Sequence, residues 1–515
     1  MKTSEVQTLS RGATVTFVGG LAGAGLIYLT GIVVARRVGA ELLGVYFLSL
    51  IWVNLGSTIA RMGFGDALLR FVPPALLAGD RDAAARIIKT TVFLGAAVAT
   101  LLAVILYVGF VVLRLIPANA LLTSYLSWFV WTLPLHAGFI LLLVVVQAHQ
   151  KMARLTAVRD ILQPVLLIGL TVLLVMLAGP KMGLFGGFAL SLILSIPVAA
   201  FLVRGVAPGA FSASGWFPLP VLLSFSVPVM AGDASHYVYR WVDTLLIERF
   251  LTLRDVGIYN AASRTAMLIT LVLIGANAIF ASVAAAYFNT AQTQKLEKAL
   301  ELSIRWCLIV SLPIVLVFIL GGDWILTLWG NEFREAGTAL AILSVAHLVG
   351  IPVGLFAYTL VMSNRQVMEM ADTLAVLAVL LGLNLALIPR LGIAGAGVAV
   401  LSANLVGLVV RYTQVRRVVG VRPLAASLMK PLIAAAMALV AGLLLREPIR
   451  DLVAGGTATP EDPLILLALL ACLSLVIAGA FLGPYLAIDS EGRSLLRLSL
   501  PGLPGWFSRF RDGRR

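Results

Sequence analysis

Long apolar runs separated by short polar connections fill this chain, and the runs set its elements. A helix that crosses hydrocarbon needs roughly 20 apolar residues. Fourteen stretches read as such spans: 12–35, 42–60, 88–113, 121–147, 158–178, 183–203, 220–247, 257–287, 304–329, 337–362, 368–388, 391–412, 430–446 and 463–487. Each is read as a helix, because an open sheet cannot satisfy its backbone in lipid. The first run is too long for a signal-peptide core and has no convincing cleavage site, so it is read as a retained span. The expected fold is an all-α polytopic membrane protein.

Two of these spans open on the same phrase. Pro180-Lys-Met-Gly183-Leu-Phe-Gly186 and Pro389-Arg-Leu-Gly392-Ile-Ala-Gly395 lie 209 residues apart, each before a long apolar run. Gly44-Val-Tyr46 and Gly257-Ile-Tyr259 repeat at an offset of 213, each with an arginine eight positions earlier, Arg36 and Arg249. Polar turns at 147–152 and 363–366 precede the fifth and eleventh spans. Landmarks in one order at one offset superimpose spans one to six on spans seven to twelve, as in transporters built from parallel repeats. The expected organisation is an N-terminal lobe (1–204), a cytoplasmic linker (205–219), a C-terminal lobe (220–417), two extra spans (418–487) and a basic tail (488–515). The repeated proline and glycines are read mainly as helix stops and packing positions, with substrate contact as the lesser alternative.

Composition agrees with the pattern: 60% of the 515 residues are hydrophobic and 12% charged, with a mean hydropathy of +1.02. That excludes a soluble globular domain. A net charge of +14 would suit a nucleic-acid binder, but no basic patch is interleaved with aromatics on a polar domain. Topology accounts for it instead. With the N-terminus inside, 26 of the 38 Lys and Arg fall on the inner side and ten on the outer, among them Arg36, Arg254 and Arg446. Both termini are then cytoplasmic. Cys307 and Cys472 stand alone in apolar runs, and His136, His149 and His347 lack partners at ligand spacing, so neither a disulfide nor a metal site is expected. Trp128, Trp324 and Trp329 read as interfacial anchors.

Charged groups inside spans are expensive and mark function. Asp233, His236, Arg240 and Asp243 in span seven have spacings of 3, 4 and 3, which hold them within about an 80° arc of one helix face. Arg264 and Asn260 enter span eight from the same outer side as Arg240. Two readings stand: a cavity lining, or an Arg240–Asp243 ion pair holding helices together. Asn54, Ser57, Thr58 and Arg61 form a similar stripe on span two, read either as interhelical hydrogen bonding with a snorkelling arginine or as cavity lining.

At these residues the chain resembles the polysaccharide transporter branch of the multidrug/oligosaccharidyl-lipid/polysaccharide exporter superfamily. The stretches are Ala35-Arg-Arg-Val-Gly39 leading to Leu43-Gly-Val-Tyr-Phe47, Arg61-Met-Gly-Phe-Gly65 to Arg70, Asp243 with Val256-Gly-Ile-Tyr-Asn260 and Arg264, and Ile388-Pro-Arg-Leu-Gly-Ile-Ala-Gly-Ala-Gly397. The resemblance implies a bacterial inner-membrane flippase, not an enzyme, that moves an undecaprenyl-pyrophosphate-linked oligosaccharide across the membrane for O-antigen or exopolysaccharide export. It also implies a V-shaped cavity between two lobes. A lipid II flippase, in which an extra helix pair forms a groove for the lipid tail, is one alternative, and a multidrug exporter of the same superfamily is another.

Residues and resemblance agree on mechanism. An anionic, bulky head needs arginines that bind phosphate by charge and donor geometry. Arg61, Arg240 and Arg264 are the candidates, with Asn54, Asn260 and His236 for sugar hydroxyls. Asp233 and Asp243 are candidates for coupling to a proton or sodium gradient; no cofactor is expected. The expected partners are the lipid-linked oligosaccharide, membrane lipids, and a polysaccharide polymerase with its export machinery; nucleic acid is not among them. A membrane glycan polymerase or ligase is the competitor from another class, but the longest outer loop, 446–463, carries no clear acid/base constellation.

Overall fold

A computed structural model of the chain describes residues 3–114, 119–290, 292–422, 428–454 and 463–488, without side-chain detail at 3–17, 278–279, 281–282, 454, 463 and 488. The basic tail from 489 on, and 455–462 of the expected outer loop at 446–463, lie outside the described residues. Those residues form helices and no strand: α1 (Thr3–Ala60), α2 (Phe64–Leu77), α3 (Arg81–Tyr107), α4 (Ala120–Phe129), α5 (Leu133–Ala148), α6 (Met152–Thr156), α7 (Gln163–Val206), α8 (Leu219–Phe250), α9 (Leu253–Met267), α10 (Thr270–Asn289), α11 (Thr293–Thr327), α12 (Gly337–Met362), α13 (Gln366–Gln414), α14 (Met429–Ala454) and α15 (Pro463–Ile488). Among the described residues, ten helical stretches are long and apolar enough to cross a membrane. The helix α8 is not among them, since it carries the charges of the span-seven stripe.

Three helices are double length, and each is broken at a glycine: Gly39 (φ 80°) in α1, Gly179 (φ 83°) in α7 and Gly392 (φ 60°) in α13. Such backbone suits glycine because it lacks a Cβ. The repeated phrase therefore lies at two helix breaks, but in different registers: Gly179 immediately precedes the first copy, whereas Gly392 is three residues into the second. Helix starts obey local chemistry. Asp80 caps α3 by accepting from the Ala83 N–H at 2.8 Å, and Thr252 and Asp255 form a reciprocal capping box at α9.

The chain divides into two compact units. One comprises Met1–Leu271, Leu326–Ala346 and Met370–Gly407. Within it α1 lies against α4, α5, α7, α8 and α9, and α3 against α2 and α5. The approach of α1 to α9 is the closest: a Cβ built on Gly44 would strike the Leu253 carbonyl oxygen and lie 2.9 Å from the Gly257 nitrogen, while one on Gly257 would strike the Ala40 carbonyl oxygen and lie 3.1 Å from the Gly44 nitrogen. The matched glycines of the duplication thus meet each other.

The second unit comprises Val272–Ile325, His347–Glu369 and Leu408–Arg515. In it α14 pairs with α15, and both reach α11: Gly442 faces Leu320, and Gly321 faces Leu470 and Leu473. Arg446 joins Asp323 at 2.9 Å and lies 5.6 Å over the Trp324 ring. Arg411 and Glu369 form a bidentate pair at 2.8 and 2.6 Å.

Two of the tryptophans expected as interfacial anchors are buried instead: Trp329 is 0% exposed and Trp324 5%, whereas Trp128 is 38% exposed. Trp329 has its polar handle satisfied inside, because its Nε1 donates to the Tyr28 hydroxyl at 3.3 Å and its ring fills the space left by Gly31.

Candidate functional site

Polar side chains of α1, α8 and α9 gather in two groups within the first unit. The group around Arg264 is aromatic. Its guanidinium carbon lies 3.9 Å over the Phe47 ring and 5.8 Å from that of Trp241, both in cation–π range. Tyr46 and Tyr237 are within its electrostatic reach, and Tyr237 is also within that of Arg240. Arg264 makes no ion pair among the described residues, and its Nε is buried without a hydrogen-bond partner. A desolvated guanidinium with donors to spare is costly unless an anion visits it. Local sequence explains the placement: Tyr46-Phe47 and Tyr237/Trp241 present rings from helices on either side of α9's arginine.

The group around Arg61 is hydrophilic. Arg61 follows the end of α1, in a turn where Met62 (φ 47°) and Gly63 (φ 69°) are both left-handed. A Cβ at Gly63 would strike the Ser226 carbonyl of α8, so the turn is pressed against that helix. The arginine donates through Nε to the Ser57 carbonyl at 3.2 Å and through Nη2 to Thr58 Oγ1 at 3.3 Å. Ser57 Oγ in turn lies 3.1 Å from His136 Nδ1. Asp66 and Asp233 are both within electrostatic reach of Arg61, and His236 within that of Asp233. The span-two stripe and the upper part of the span-seven stripe therefore come together.

The four residues of the span-seven stripe do not share one environment. Asp233, His236 and Arg240 are exposed, whereas Asp243 is buried and accepts from the Tyr259 hydroxyl and from the Thr244 N–H at 2.7 Å. Arg240 and Asp243 make no ion pair with each other; the carboxylate ties α8 to α9 instead. Asn54 is turned back on its own helix, its Nδ2 donating to the Leu50 carbonyl at 2.7 Å. Asn260 is fully buried, donates to the Val256 carbonyl at 2.9 Å and leaves its Oδ1 without a partner.

Two features were not foreseen from sequence. The Tyr28 hydroxyl lies 3.0 Å from Thr265 Oγ1 while accepting from Trp329, which fixes the first part of α1 to α9 one residue beyond Arg264. At the start of α9 an ionic cluster binds three connections: Arg254 is bidentate to Glu335 at 2.9 and 2.8 Å and 3.7 Å from Glu332, and Glu332 accepts the Ala40 N–H at 2.7 Å. Arg36 donates to the Leu328 carbonyl at 2.7 Å. The signal was present as arginines assigned to the outer side without partners.

Comparison with known proteins bears on the whole arrangement. A family model described as polysaccharide biosynthesis protein matches residues 9–284, and a second, MatE, matches residues 228–389. The probable low-salt glycan biosynthesis flippase Agl15 of Haloferax volcanii is 24% identical over 407 residues, covering 76% of this chain and 80% of that protein. The probable flippase AglR of the same organism is 25% identical over 193 residues, covering 36% of this chain and 40% of its own. Among solved structures, the lipid II flippase MurJ in an inward closed conformation superimposes with a TM-score of 0.67 at 13% identity, over 91% of this chain and 98% of that one. An inward-facing multidrug resistance MATE family transporter gives 0.63 at 18% identity, over 76% and 94%. The likenesses to solved structures concern the fold, all-helical and multi-pass. With over half its length matched by one family model and flippases as its relatives in sequence, the chain belongs to the polysaccharide biosynthesis protein family, a membrane flippase of the polysaccharide transporter branch and not an enzyme.

Proposed function

We propose that the cargo is a polyprenyl-pyrophosphate-linked oligosaccharide of the undecaprenyl class, flipped for cell-surface polysaccharide export. The observation that carries this reading is Arg264, held against Phe47 and Trp241 with no carboxylate among the described residues neutralising it. Such a group suits an anion that comes and goes, because a permanent internal partner would compete with cargo. Organic cations, the natural load of an acidic or aromatic cavity, are poorly served by Arg264 and Arg240. The MatE match over 228–389 runs from within α8 to within α13 and so includes both of these arginines.

The two groups lie along α8 as successive stations. Asp233 and Arg240 are seven residues apart, about 11 Å along a helix. Arg61 with His236 receives the head at one level and Arg264 with Arg240 at the other, while the polyprenyl tail stays in lipid. The aromatic rings beside Arg264 suit sugar faces, and Asn54 and Asn260 stand ready for hydroxyls once their helices move. Alternating access follows from rocking of two six-span lobes, 1–204 and 220–417, in an inner membrane with both termini cytoplasmic. Asp233 and Asp243 are the groups through which a proton or sodium gradient would act, and a polysaccharide polymerase with its export machinery would take the delivered product.

Reconstituted vesicles carrying a fluorescent lipid-linked oligosaccharide test the cargo and its site together. Losing a charge-assisted phosphate contact costs about 1.5–3 kcal/mol, so Arg264→Ala is expected to slow flipping roughly ten- to a hundred-fold, and Arg264→Lys to restore little of it. Wild-type rates in Arg264→Ala and Arg61→Ala would remove the assignment. Flipping of lipid II in preference to the oligosaccharide would move the chain to the alternative cargo.

A further inference from the structure

The segment joining α7 to α8 carries no charge from Ala207 to Pro218, yet it is tied to a basic surface. Lys89 of α3 donates to the Ala213 carbonyl at 2.8 Å and lies 4.7 Å over the Trp216 ring. Thr90 Oγ1 accepts the Phe217 N–H at 2.9 Å, and Phe93 stacks edge-on with Phe211 and Trp216. Beyond the segment, Phe71 of α2 meets Phe217 and Phe225, and Arg70 lies 4.4 Å over the Phe225 ring. The side chains of Arg70, Arg81 and Arg86 make no ion pair or hydrogen bond among the described residues. Three carboxylates stand nearby, Asp66 one turn before Arg70, Asp80, occupied as the cap of α3, and Asp82, against Arg70, Arg81, Arg86 and Lys89, so the surface stays net basic.

Apolar side chains flank these charges and are exposed: Leu77 is 90% exposed, Trp216 59% and Phe93 51%. A free anion would use the basic groups alone, and a lipid chain the apolar ones alone. One molecule that uses both is a phospholipid, with its phosphate among Arg70, Arg86 and Lys89 and its acyl chains along Phe93 and Trp216. A choline headgroup brings its own cation to a surface that already has several, which favours an anionic lipid. The positive-inside reading puts this end of α3 at the cytoplasmic leaflet, where anionic lipids draw basic segments.

We infer that Arg70, Arg86, Lys89 and the segment Ala207–Pro218 form a binding site for an anionic phospholipid of the phosphatidylglycerol class, separate from the cargo arginines. The bound lipid clamps the connection between α7 and α8 to α2 and α3.

The full-length chain in nanodiscs of phosphatidylcholine with a minor share of phosphatidylglycerol, weighed by native mass spectrometry, tests this. The wild type is expected to retain phosphatidylglycerol selectively. Each basic residue near a lipid surface contributes about 1 kcal/mol, so Arg70→Gln with Arg86→Gln is expected to weaken retention about 30-fold and Arg86→Gln alone about five-fold. Arg70→Gln gives up the cation–π contact with Phe225, whereas the Arg86 side chain makes no hydrogen bond or ion pair among the described residues, so the single variant decides if the double one fails to fold. Arg416→Gln with Arg417→Gln, basic residues elsewhere, is expected to leave retention unchanged. Equal retention of phosphatidylcholine, or wild-type retention in Arg86→Gln and in the double variant, overturns the site. So does a dimer that the double variant dissolves, since a second copy would then be the occupant.

Discussion

The same two helices, α1 and α9, meet in opposite ways at two levels. At Gly44 and Gly257 they touch backbone to backbone with no room for a methyl group on either. Three residues on in α1 and seven on in α9, Phe47 and Arg264 put an aromatic ring and a guanidinium between helix axes that have just been in contact. The first level repeats in sequence and is made of nothing but main chain; the second does not repeat and is made of side chains. Symmetric contact holds the fold at one level and asymmetric chemistry uses it at the other.

The contrast breaks most easily at the glycines. A Cβ at Gly257 meets the Ala40 carbonyl, a backbone atom that cannot swing aside, so Gly257→Ala is expected to destabilise the protein by about 3 kcal/mol, at the upper end of ordinary overpacking. Gly44→Ala meets the Leu253 carbonyl and follows suit. Gly382→Ala is the control: its Cβ meets nothing within 4 Å, and alanine is the better helix former, so it is neutral or mildly stabilising. Thermal unfolding in detergent separates the three, and a Gly257→Ala protein that melts with the wild type would show the seam to be slack.

A smaller effect is expected at the level between. Tyr259 follows Gly257 by two residues and gives its hydroxyl proton to buried Asp243, joining α9 to α8. Tyr259→Phe leaves a buried carboxylate with the Thr244 N–H but no partner across the helices, at a cost of about 2 kcal/mol. Asp243→Asn keeps an acceptor for the phenol and is expected to cost less. If Tyr259→Phe unfolds at the wild-type temperature while Asp243→Asn does not, the tie between these helices lies elsewhere.

How much of this was legible in sequence follows from what periodicity can see. Hydropathy gave the helical, multi-pass fold, because twenty apolar residues in lipid leave the backbone no alternative. The repeated phrase marked two helix breaks, but Gly44 and Gly257 were legible only as matched landmarks and not as a contact, since two sites 213 residues apart carry no local trace of it. Helical phase placed Asp233, His236, Arg240 and Asp243 on one face, and the structure splits them because Tyr259 offers Asp243 a hydroxyl that phase does not register. Trp329 was read as an anchor for a similar reason: its partner Tyr28 is 301 residues away. Arg264 was legible as a charge inside a span and Arg61 as one at the inner end of span two, whereas their surroundings, aromatic for the first and hydrophilic for the second, belong to tertiary structure.

The smallest effect tests whether the glycine seam needs its rim. Arg254 opens α9 three residues before Gly257 and is bidentate to Glu335, with Glu332 reaching both Arg254 and the Ala40 amide. The pair is well formed but its side chains are 41% and 60% exposed, and exposed pairs contribute about 0.2–1 kcal/mol. Arg254→Gln is therefore expected to cost about 0.5 kcal/mol at low salt and less at 1 M salt, where the Debye length falls to about 3 Å. Glu332→Gln keeps an acceptor for the Ala40 N–H and loses only the longer 3.7 Å ion pair, so it should cost less still. Because the rim is weak beside the seam, combining Arg254→Gln with Gly257→Ala distinguishes two arrangements. If the rim merely sits on a seam held by main-chain contact, the two effects add; if it clamps the seam shut, the double variant loses less than the sum, since the methyl group has already opened what the arginine was holding.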